Sequence, residues 1–307
     1  MGLGGLKSAW QRQTLHFGHE RREKYSVLLI DNRGMGDSDK PLMRYSTSEM
    51  ARDLAEVLAH PSVGWLPSFP LATSSLESVP RTIHIVGISL GGMIAQELAA
   101  LIPTAVSSLS LVCTAAAIEN TTTFAENMAQ RASLLLPKTV DRSVGDAARQ
   151  IFSHAWLTQP DNAHLPSPGT TPGCKPSSEA GGEYLKFDNN AQRFVAQEMH
   201  KRLDPARRFG LKGFLLQLIA AGWHHKSAAQ LAEMADAVGR ERILVMHGTE
   251  DGMISVPHGR KLIEYIQPGK GLILEGMGHA PLVERCEWFN EAVEEQCMLG
   301  EGLEGRA

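Results

Sequence analysis

Residues 83–101 read IHIVGISLGGMIAQELAAL, and no other segment of the chain says as much about its architecture. Its first six residues form a continuous apolar run, which is typical of a buried strand in a parallel sheet. Residues 90–101 are rich in Ala, Leu and Met and predict a helix that begins without a linker. Ser89 lies at the junction, and Gly87 and Gly91 complete the pattern G-x-S-x-G around it. In this context the pattern predicts a serine nucleophile held in a strained strand-to-helix turn.

The turn also gives Ser89 a favourable chemical environment. Glycines two positions away on either side let the strand and the helix approach closely, and the turn is expected to lift the serine hydroxyl into solvent. At a helix N-terminus, unpaired N–H groups favour the negative charge of a tetrahedral intermediate, which makes the N–H of Leu90 the first expected oxyanion donor. The alternative is a glycine-rich strand-to-helix connection in which the serine is incidental.

Outward from this stretch, strands and helices alternate along the chain. Residues 25–31 (YSVLLID) form a second buried apolar run, and a capping box of Ser46 and Glu49 predicts a helix after it. Further elements are predicted as strands at 108–113, 242–247 and 272–275, and as a closing helix at 284–297. This alternation predicts an α/β fold with a doubly wound, mostly parallel sheet.

Between residues 115 and 238 the strand signal disappears and amphipathic helical patterns dominate. We therefore predict a helical cap at 115–238, inserted into a core domain formed by residues 1–114 and 239–307. Two stretches rich in Pro, Gly and Ser, at 61–80 and 165–183, are expected to be long loops. Loops of that length are unusual in a compact domain and indicate local insertions or errors in the gene model.

A serine hydroxyl needs a base, and His279 is the best-placed histidine of the chain. It follows the last predicted strand in GMGHAP, residues 276–281, where glycines permit a tight loop. His224 and His225 stand beside Trp223 in the predicted cap, where they form a polar surface pair or contact the substrate. Two further histidines lie within predicted strands and are expected to be core residues with satisfied hydrogen bonds: His84 and His247.

The base in turn needs an acid that fixes its tautomer. Asp251 follows the strand predicted at 242–247, at the carboxyl edge where such groups collect in parallel sheets. Glu250 is adjacent and is the competing candidate. Either carboxylate is alternatively a solvated turn residue.

The size and charge of the chain limit its class. Its 307 residues suffice for one large α/β domain with an insertion. A net charge of −4 gives no electrostatic footprint for nucleic acid or an anionic membrane, so the expected partner is a small molecule. Four scattered cysteines favour a reducing compartment, and we find neither a secretory signal nor an apolar run that could span a bilayer. We expect a soluble, cytoplasmic protein with no metal or organic cofactor.

Three segments make the sequence resemble the α/β-hydrolase superfamily, in particular its serine esterase and lactonase-like members with a helical cap. DNRGMGDSD (31–39) resembles the turn after the family's fourth strand, MHGTED (246–251) its acid turn, and GH (278–279) its histidine loop. The candidate nucleophile, acid and base also follow the chain order of this fold. The resemblance covers nearly all of the chain outside the predicted cap and the two long loops, and it identifies the superfamily better than the substrate.

The N-terminal residues MGLGG (1–5) resemble the family's oxyanion loop, which implies that the Leu3 N–H is the second oxyanion donor. Met1 stands where the family usually has His, which should matter little because the donor is a main-chain N–H. Family members carry three strands before this loop, and the third normally lies between the fourth and fifth strands of the sheet. We therefore expect a truncated N-terminus, so that residues 25–31 and 83–88 either face a gap or pair directly.

The resemblance implies a serine hydrolase that cleaves an ester, lactone or related acyl bond through the three candidate residues and an acyl-enzyme. Aromatic and apolar residues of the predicted cap suggest a chamber for a small apolar substrate, with Trp156, Trp223 and His224 as candidate contacts. Haloalkane dehalogenases and epoxide hydrolases of this family have Asp where this chain has Ser89, so those activities are not expected. Two alternatives stay open: a catalytically inactive ligand-binding homologue and a truncated fragment without function.

Overall fold

A computed structural model describes residues 1–70, 79–119, 139–166, 186–204 and 208–306. Within them, four parallel strands form one sheet in the order β1-β2-β3-β4. The strands are β1 (Ile83–Ile88), β2 (Val106–Val112), β3 (Ile243–Gly248) and β4 (Lys270–Leu274). All four are predicted by the sequence, with small shifts in their bounds. Strands β2 and β3 are buried along their whole length, as central strands of a parallel sheet are.

Helices connect and cover these strands. The described α-helices are α1 (Thr47–Ala59), α2 (Leu90–Leu101), α3 (Val140–Ile151), α4 (His154–Leu157), α5 (Asn190–Leu203), α6 (Leu211–Trp223), α7 (Ala228–Val238), α8 (Val256–Ile266), α9 (Pro281–Glu284) and α10 (Cys286–Leu303). Residues 7–20 add a helical segment made of a 3-10 turn, an α turn and a π turn. None of the helices in the described part of the chain combines the length and the apolar character that a bilayer crossing requires.

Helix α1 shows how the sequence directs the fold locally. Its predicted capping box is present, because the Ser46 hydroxyl accepts from the Glu49 N–H at 3.2 Å and the Glu49 carboxylate accepts from the Ser46 N–H at 3.2 Å. The apolar residues Met50 and Leu58 recur on the face that packs against α2, and both are buried. The helix therefore begins and packs where its sequence pattern predicts.

Two hydrophobic clusters lie on opposite faces of the sheet, because alternate residues of β3 belong to different clusters. The larger cluster contains Val245 of β3 together with side chains of α1, α2, α7 and α8. The smaller cluster contains Met246 of β3 together with side chains of α3, α4 and α10. Helices on both faces of a parallel sheet confirm the predicted doubly wound α/β fold.

The prediction of a strand at residues 25–31 is wrong. This run does not join the sheet, so β1 is an edge strand among the described residues. Of the two expected arrangements the structure has the gap, because a cavity of about 700 Å³ is lined both by residues 24–30 and by β1. Its walls include side chains from helices on both faces of the sheet: Ile94, Leu98, Phe289 and Val293. An apolar run without a partner strand cannot complete a hydrogen-bonded ladder, and Val27 within it is exposed.

The region predicted as a cap is dominated by helices where it is described. Helix α7 nevertheless packs against α2 and α8, and its Leu231 and Met234 lie in the larger cluster. Helix α7 thus belongs to the helical layer of the sheet, while the bounds of the cap stay a prediction. Of the two predicted loops, residues 61–70 and 79–80 are described as irregular chain, and residues 167–183 lie outside the described residues.

Candidate active site

Ser89 lies in the turn between β1 and α2, with a φ of 57° and a ψ of −124°. A positive φ is strained for a residue with a side chain. The surrounding glycines are required by close backbone contacts: a Cβ on Gly87 would lie 2.4 Å from Gly91 O, and one on Gly91 would lie 2.5 Å from Met1 N. The Ser89 carbonyl accepts from the Thr114 hydroxyl at 2.7 Å. The turn has the strained backbone that the sequence predicts.

The Ser89 side chain is less accessible than the sequence suggests. The residue is only 7% exposed, so the expectation of a hydroxyl lifted into solvent is wrong. The N-terminal loop, residues 1–5, approaches it closely: a Cβ on Gly2 would lie 3.3 Å from Ser89 Cβ and 3.7 Å from its Oγ. This loop is fixed in turn by a hydrogen bond of 3.0 Å from the Gly4 N–H to Gln217 Oε1. A long-range contact to helix α6 therefore helps to cover the serine.

The two predicted oxyanion donors belong to different segments of the chain. Leu90 is the first residue of α2, so its N–H belongs to the first turn, which has no partner within the helix. Leu3 follows Gly2 in the N-terminal loop, and its side chain packs against the larger hydrophobic cluster. Leu90 thus adjoins Ser89 along the chain, whereas Leu3 is brought near it by the contact of Gly2. The role of both N–H groups stays a prediction.

Asp251 and His279 meet beyond the carboxyl ends of β3 and β4. Asp251 Oδ2 lies 2.7 Å from His279 Nδ1, and both residues are buried. The His279 main chain is fixed by a hydrogen bond of 2.6 Å from its N–H to Ile151 O. The competing candidate, Glu250, is exposed, and its N–H donates to Met277 O at 2.8 Å. The geometry therefore pairs His279 with Asp251.

Four donors surround the Asp251 carboxylate. Oδ1 accepts from the N–H groups of Met253 and Ile254, each at 2.8 Å. Oδ2 lies 2.7 Å from His279 Nδ1 and 3.2 Å from His247 Nε2. Burial alone would raise the pKa of Asp251, but the two histidines outweigh burial and hold this pKa well below its usual value. The carboxylate therefore stays ionised, as the partner of a catalytic base must.

Cys113 borders this pair and was not singled out by the sequence. It follows β2 with a φ of 43°, and its Sγ and one ligand atom each of Asp251 and His279 lie within 4.8 Å of one another. Among the described residues, these three side chains form the group that could hold a metal ion. Burial, and then the Asp251 charge, raise the pKa of the Cys113 thiol well above its usual value, which disfavours the thiolate that a metal needs.

Glu284 is a second residue that sequence reasoning missed. Its Oε1 accepts from the Gly278 N–H at 3.0 Å and its Oε2 from the Ser153 hydroxyl at 2.8 Å, so it ties the loop before His279 to the start of α4. Burial raises the pKa of Glu284. Its only signal in the sequence is its position at the start of the predicted closing helix.

The three predicted substrate contacts lie in different places. Trp156 is buried in the smaller hydrophobic cluster. His224 is also buried, with its Nδ1 2.9 Å from Thr47 Oγ1, and burial lowers its pKa to about 3, so the ring is neutral. Trp223 is 70% exposed, with the Arg44 guanidinium 4.3 Å from its ring centroid. The contacts of these side chains do not bring them together, and their role in substrate binding stays a prediction.

The sequence and the fold resemble known hydrolases. A family model described as "Alpha/beta hydrolase family" matches residues 2–292. The 3-oxoadipate enol-lactonase 2 of Acinetobacter baylyi is 27% identical over 296 residues, which cover 95% of this chain and 84% of that protein. A hydrolase structure from Pseudomonas aeruginosa PA01 superposes with a TM-score of 0.62 at 21% identity, over 96% of this chain and 86% of that one.

A third relative matches over a shorter segment. This protein of Azorhizobium caulinodans, named as a carbamate hydrolase, RutD, is 31% identical over 111 residues, or 36% of this chain and 34% of the relative. The match to RutD proteins from two other bacteria is equally short, so the chain spans about a third of the length of these curated relatives.

Proposed function

The chain belongs to the alpha/beta hydrolase family, and from this premise we propose that it is a serine hydrolase of small apolar esters or lactones. The observation that carries the proposal is the 2.7 Å contact between Asp251 Oδ2 and His279 Nδ1, at the same sheet edge as the strained Ser89. A buried carboxylate bonded to one imidazole nitrogen leaves the other nitrogen to accept a proton, which is the arrangement of a catalytic base.

The order of the strands supports this assignment. Ser89 follows β1, Cys113 follows β2, Asp251 comes after β3, and His279 comes after β4. Because the four strands are parallel and adjacent in that order, the residues that follow them emerge side by side at one edge of the sheet. This order supports one site to which four segments, distant in sequence, contribute.

The proposed reaction passes through an acyl-enzyme. His279 Nε2 takes the proton of the Ser89 hydroxyl, and the oxygen attacks the carbonyl carbon of the substrate. The N–H groups of Leu90 and Leu3 hold the oxyanion until the leaving group departs with the proton from His279. Water, activated by the same imidazole, then releases the acid and restores Ser89.

Two observations support a small apolar substrate. Ser89 is almost completely covered, which favours an acyl group small enough to pass beneath the N-terminal loop. The name of the A. baylyi relative describes a lactonase, which supports a lactone or ester, and the RutD name points to a carbamate, a related acyl bond.

Labelling with a fluorophosphonate tests the proposal. We expect the purified protein to react with the probe at Ser89, since the probe requires an activated serine in a folded site. Ser89→Ala should abolish labelling, and Ser62→Ala, at an exposed serine outside the sheet edge, should not change it. Unlabelled protein from the same preparation would then be assayed with small apolar esters and lactones.

Two other outcomes would contradict the proposal and separate its alternatives. Well-folded protein that does not label would indicate a ligand-binding homologue without catalysis. Aggregated protein with a broad melting transition would indicate a fragment that cannot fold alone, for which the cavity beside β1 provides a physical reason.

A further inference from the structure

His247 contacts the same oxygen of the Asp251 carboxylate as the proposed base does. It lies near the end of β3 and is fully buried. Its Nε2 is 2.7 Å from Ile254 O and 3.2 Å from Asp251 Oδ2. Because both of these oxygens only accept hydrogen bonds, Nε2 must carry a proton. One imidazole N–H is therefore shared between the carboxylate and the main chain of the turn that follows it.

The other nitrogen of this ring distinguishes His247 from an ordinary core histidine. Nδ1 is buried and has no hydrogen-bond partner among the described residues. A protonated ring would bury an unpaired N–H there, which is costly, so the contacts favour the neutral ring with its proton on Nε2. The ring thus gives its single hydrogen to the turn that carries Asp251.

The fold leaves space for this ring. Gly259, at the end of the first turn of α8, faces it so closely that a Cβ at this position would lie 2.4 Å from His247 Cγ. Any larger residue at position 259 would push the imidazole away from Asp251. The placement of the ring therefore depends on glycine at position 259 of α8, the helix that packs against β3.

We propose that His247 is a positioning residue, whose Nε2–H fixes the Asp251 carboxylate and the turn to Ile254 so that Oδ2 faces His279 Nδ1. The inference rests on the proposed function, because His247 acts through Asp251. With Oδ1 held by two main-chain N–H groups and Oδ2 held between two imidazoles, the carboxylate is restrained against rotation. Preorganisation of this kind raises the rate of the chemical step and leaves ground-state binding unchanged.

Three variants test this role by kinetics. His247→Leu removes the donor at similar volume, and we expect kcat per active site to fall about tenfold with KM unchanged, as for loss of one charge-assisted hydrogen bond. His247→Gln places an amide N–H near the position of Nε2 and should restore most of kcat. His84→Leu is the control, since this strand histidine contacts Ser108 and Glu301. Active sites are counted by the fluorophosphonate, so that partial unfolding does not mimic a lower kcat.

The pH profile separates positioning from stability. Without the His247 donor, the Asp251 carboxylate is less satisfied and favours the protonated form of its remaining partner, His279. The acid limb of kcat/KM should therefore move about half a pH unit upward in His247→Leu and return in His247→Gln. If His247 had only a packing role, His247→Leu would lower the melting temperature and leave the acid limb of kcat/KM at its wild-type pH. That result would overturn the proposal.

A readout without turnover keeps this inference separate from the proposed function. The Nδ1–H of His279, bonded to Asp251, should give a far-downfield proton resonance in the wild-type protein, and His247→Leu should shift or broaden it. If the wild type shows no Ser89-dependent labelling, the proposed function fails while this resonance still tests the positioning. If the wild type is active and His247→Leu leaves both the resonance and kcat unchanged, the role of His247 is contradicted while the proposed function stands.

Discussion

The loops that follow β3 and β4 are held differently from the segment that lies beside the unpaired side of β1. Beyond β3 and β4, contacts of 2.7–2.8 Å fix Asp251 and His279 between paired strands. Beside β1 lies the cavity of about 700 Å³, and residues across it are held by isolated contacts. An example is the Asn32 amide, which donates to Met1 O at 3.1 Å, and both of these residues line the cavity.

The difference shows that hydrogen bonds can hold the candidate site firmly while another part of the same molecule is held by few contacts. A paired strand fixes the next loop through a ladder of hydrogen bonds, so substitutions of the acid or the base should act on chemistry. An unpaired segment depends on side-chain and turn contacts, so substitutions there should act on stability and on access to Ser89. Four experiments test this division.

The largest expected effect is on the paired side. Asp251→Asn should lower kcat about 10⁴-fold, equivalent to about 5.5 kcal/mol, because the amide disturbs the tautomer and charge of the His279 partner. Its matched control is Glu250→Gln, at the exposed neighbour, which should change kcat less than twofold. Steady-state kinetics with the best ester substrate measures both. A larger loss in Glu250→Gln would mean that Glu250 is the acid.

The second experiment compares one leucine from each region. Leu111→Ala in β2 removes a fully buried side chain and should lower the free energy of unfolding by about 4 kcal/mol. Leu28→Ala, on the wall of the cavity, should cost only about 1 kcal/mol, because this side chain is partly buried and borders space that is already empty. Urea denaturation measures both values. Equal losses would show that the segment at 25–31 is packed as tightly as the sheet.

The third experiment uses pH to probe the unpaired side. Burial lowers the pKa of the Met1 α-amino group from 8.0 to about 6. Between these values the unfolded chain binds the proton and the folded chain largely does not, so the free energy of unfolding should rise from pH 6 to pH 8, by about 2 kcal/mol. This stability is lost as the pH falls toward 6.

Acetylation of the same amine provides the control, because the acetylated chain cannot titrate there. The difference between the two stability curves removes the contribution of the histidines, which titrate in the same range. Intact mass must show that Met1 is retained. Parallel curves would mean that the amine is solvated in the folded protein.

The smallest expected effect concerns access to Ser89. Gly2→Ala places a Cβ 3.3 Å from Ser89 Cβ, so the N-terminal loop must shift by a few tenths of an ångström. We expect kcat/KM to fall several-fold, by about 1 kcal/mol. Gly222→Ala in α6 meets no atom within 4 Å and serves as the control. No change in Gly2→Ala would argue that the loop is already mobile enough to clear the serine.

Local patterns in the sequence predict most of the fold and the pairing of Asp251 with His279. Strands β1 to β4 are apolar runs bounded by turn residues, and a run that pairs with a neighbour is recognisable from its own composition. Residues 25–31 have the same composition but no partner beside them, and composition alone cannot show whether a neighbour is present. Burial of Ser89 likewise depends on the N-terminal loop and α6, which are distant in sequence.

The role of His247 also lies beyond local patterns. As a strand histidine it is expected in the core, and it is there, but its second contact depends on how the turn after β3 bends back. Cys113 reaches the site because the backbone turns after β2, where its φ is positive. Glu284 reaches it through hydrogen bonds from Gly278 and from Ser153, which precedes α4. Such contacts join segments that only the folded chain brings together, so the sequence predicts the residue types of the site better than their supports.

The buried amine of Met1 has a practical consequence for handling the protein. Met1 N packs where a Cβ on Gly91 would lie 2.5 Å away, two residues from the proposed nucleophile. A purification tag joined to Met1 would have to leave through this space and would displace the loop that covers Ser89. Residues 304–306 are exposed at the other end of the chain and offer a site for a tag that does not disturb the serine.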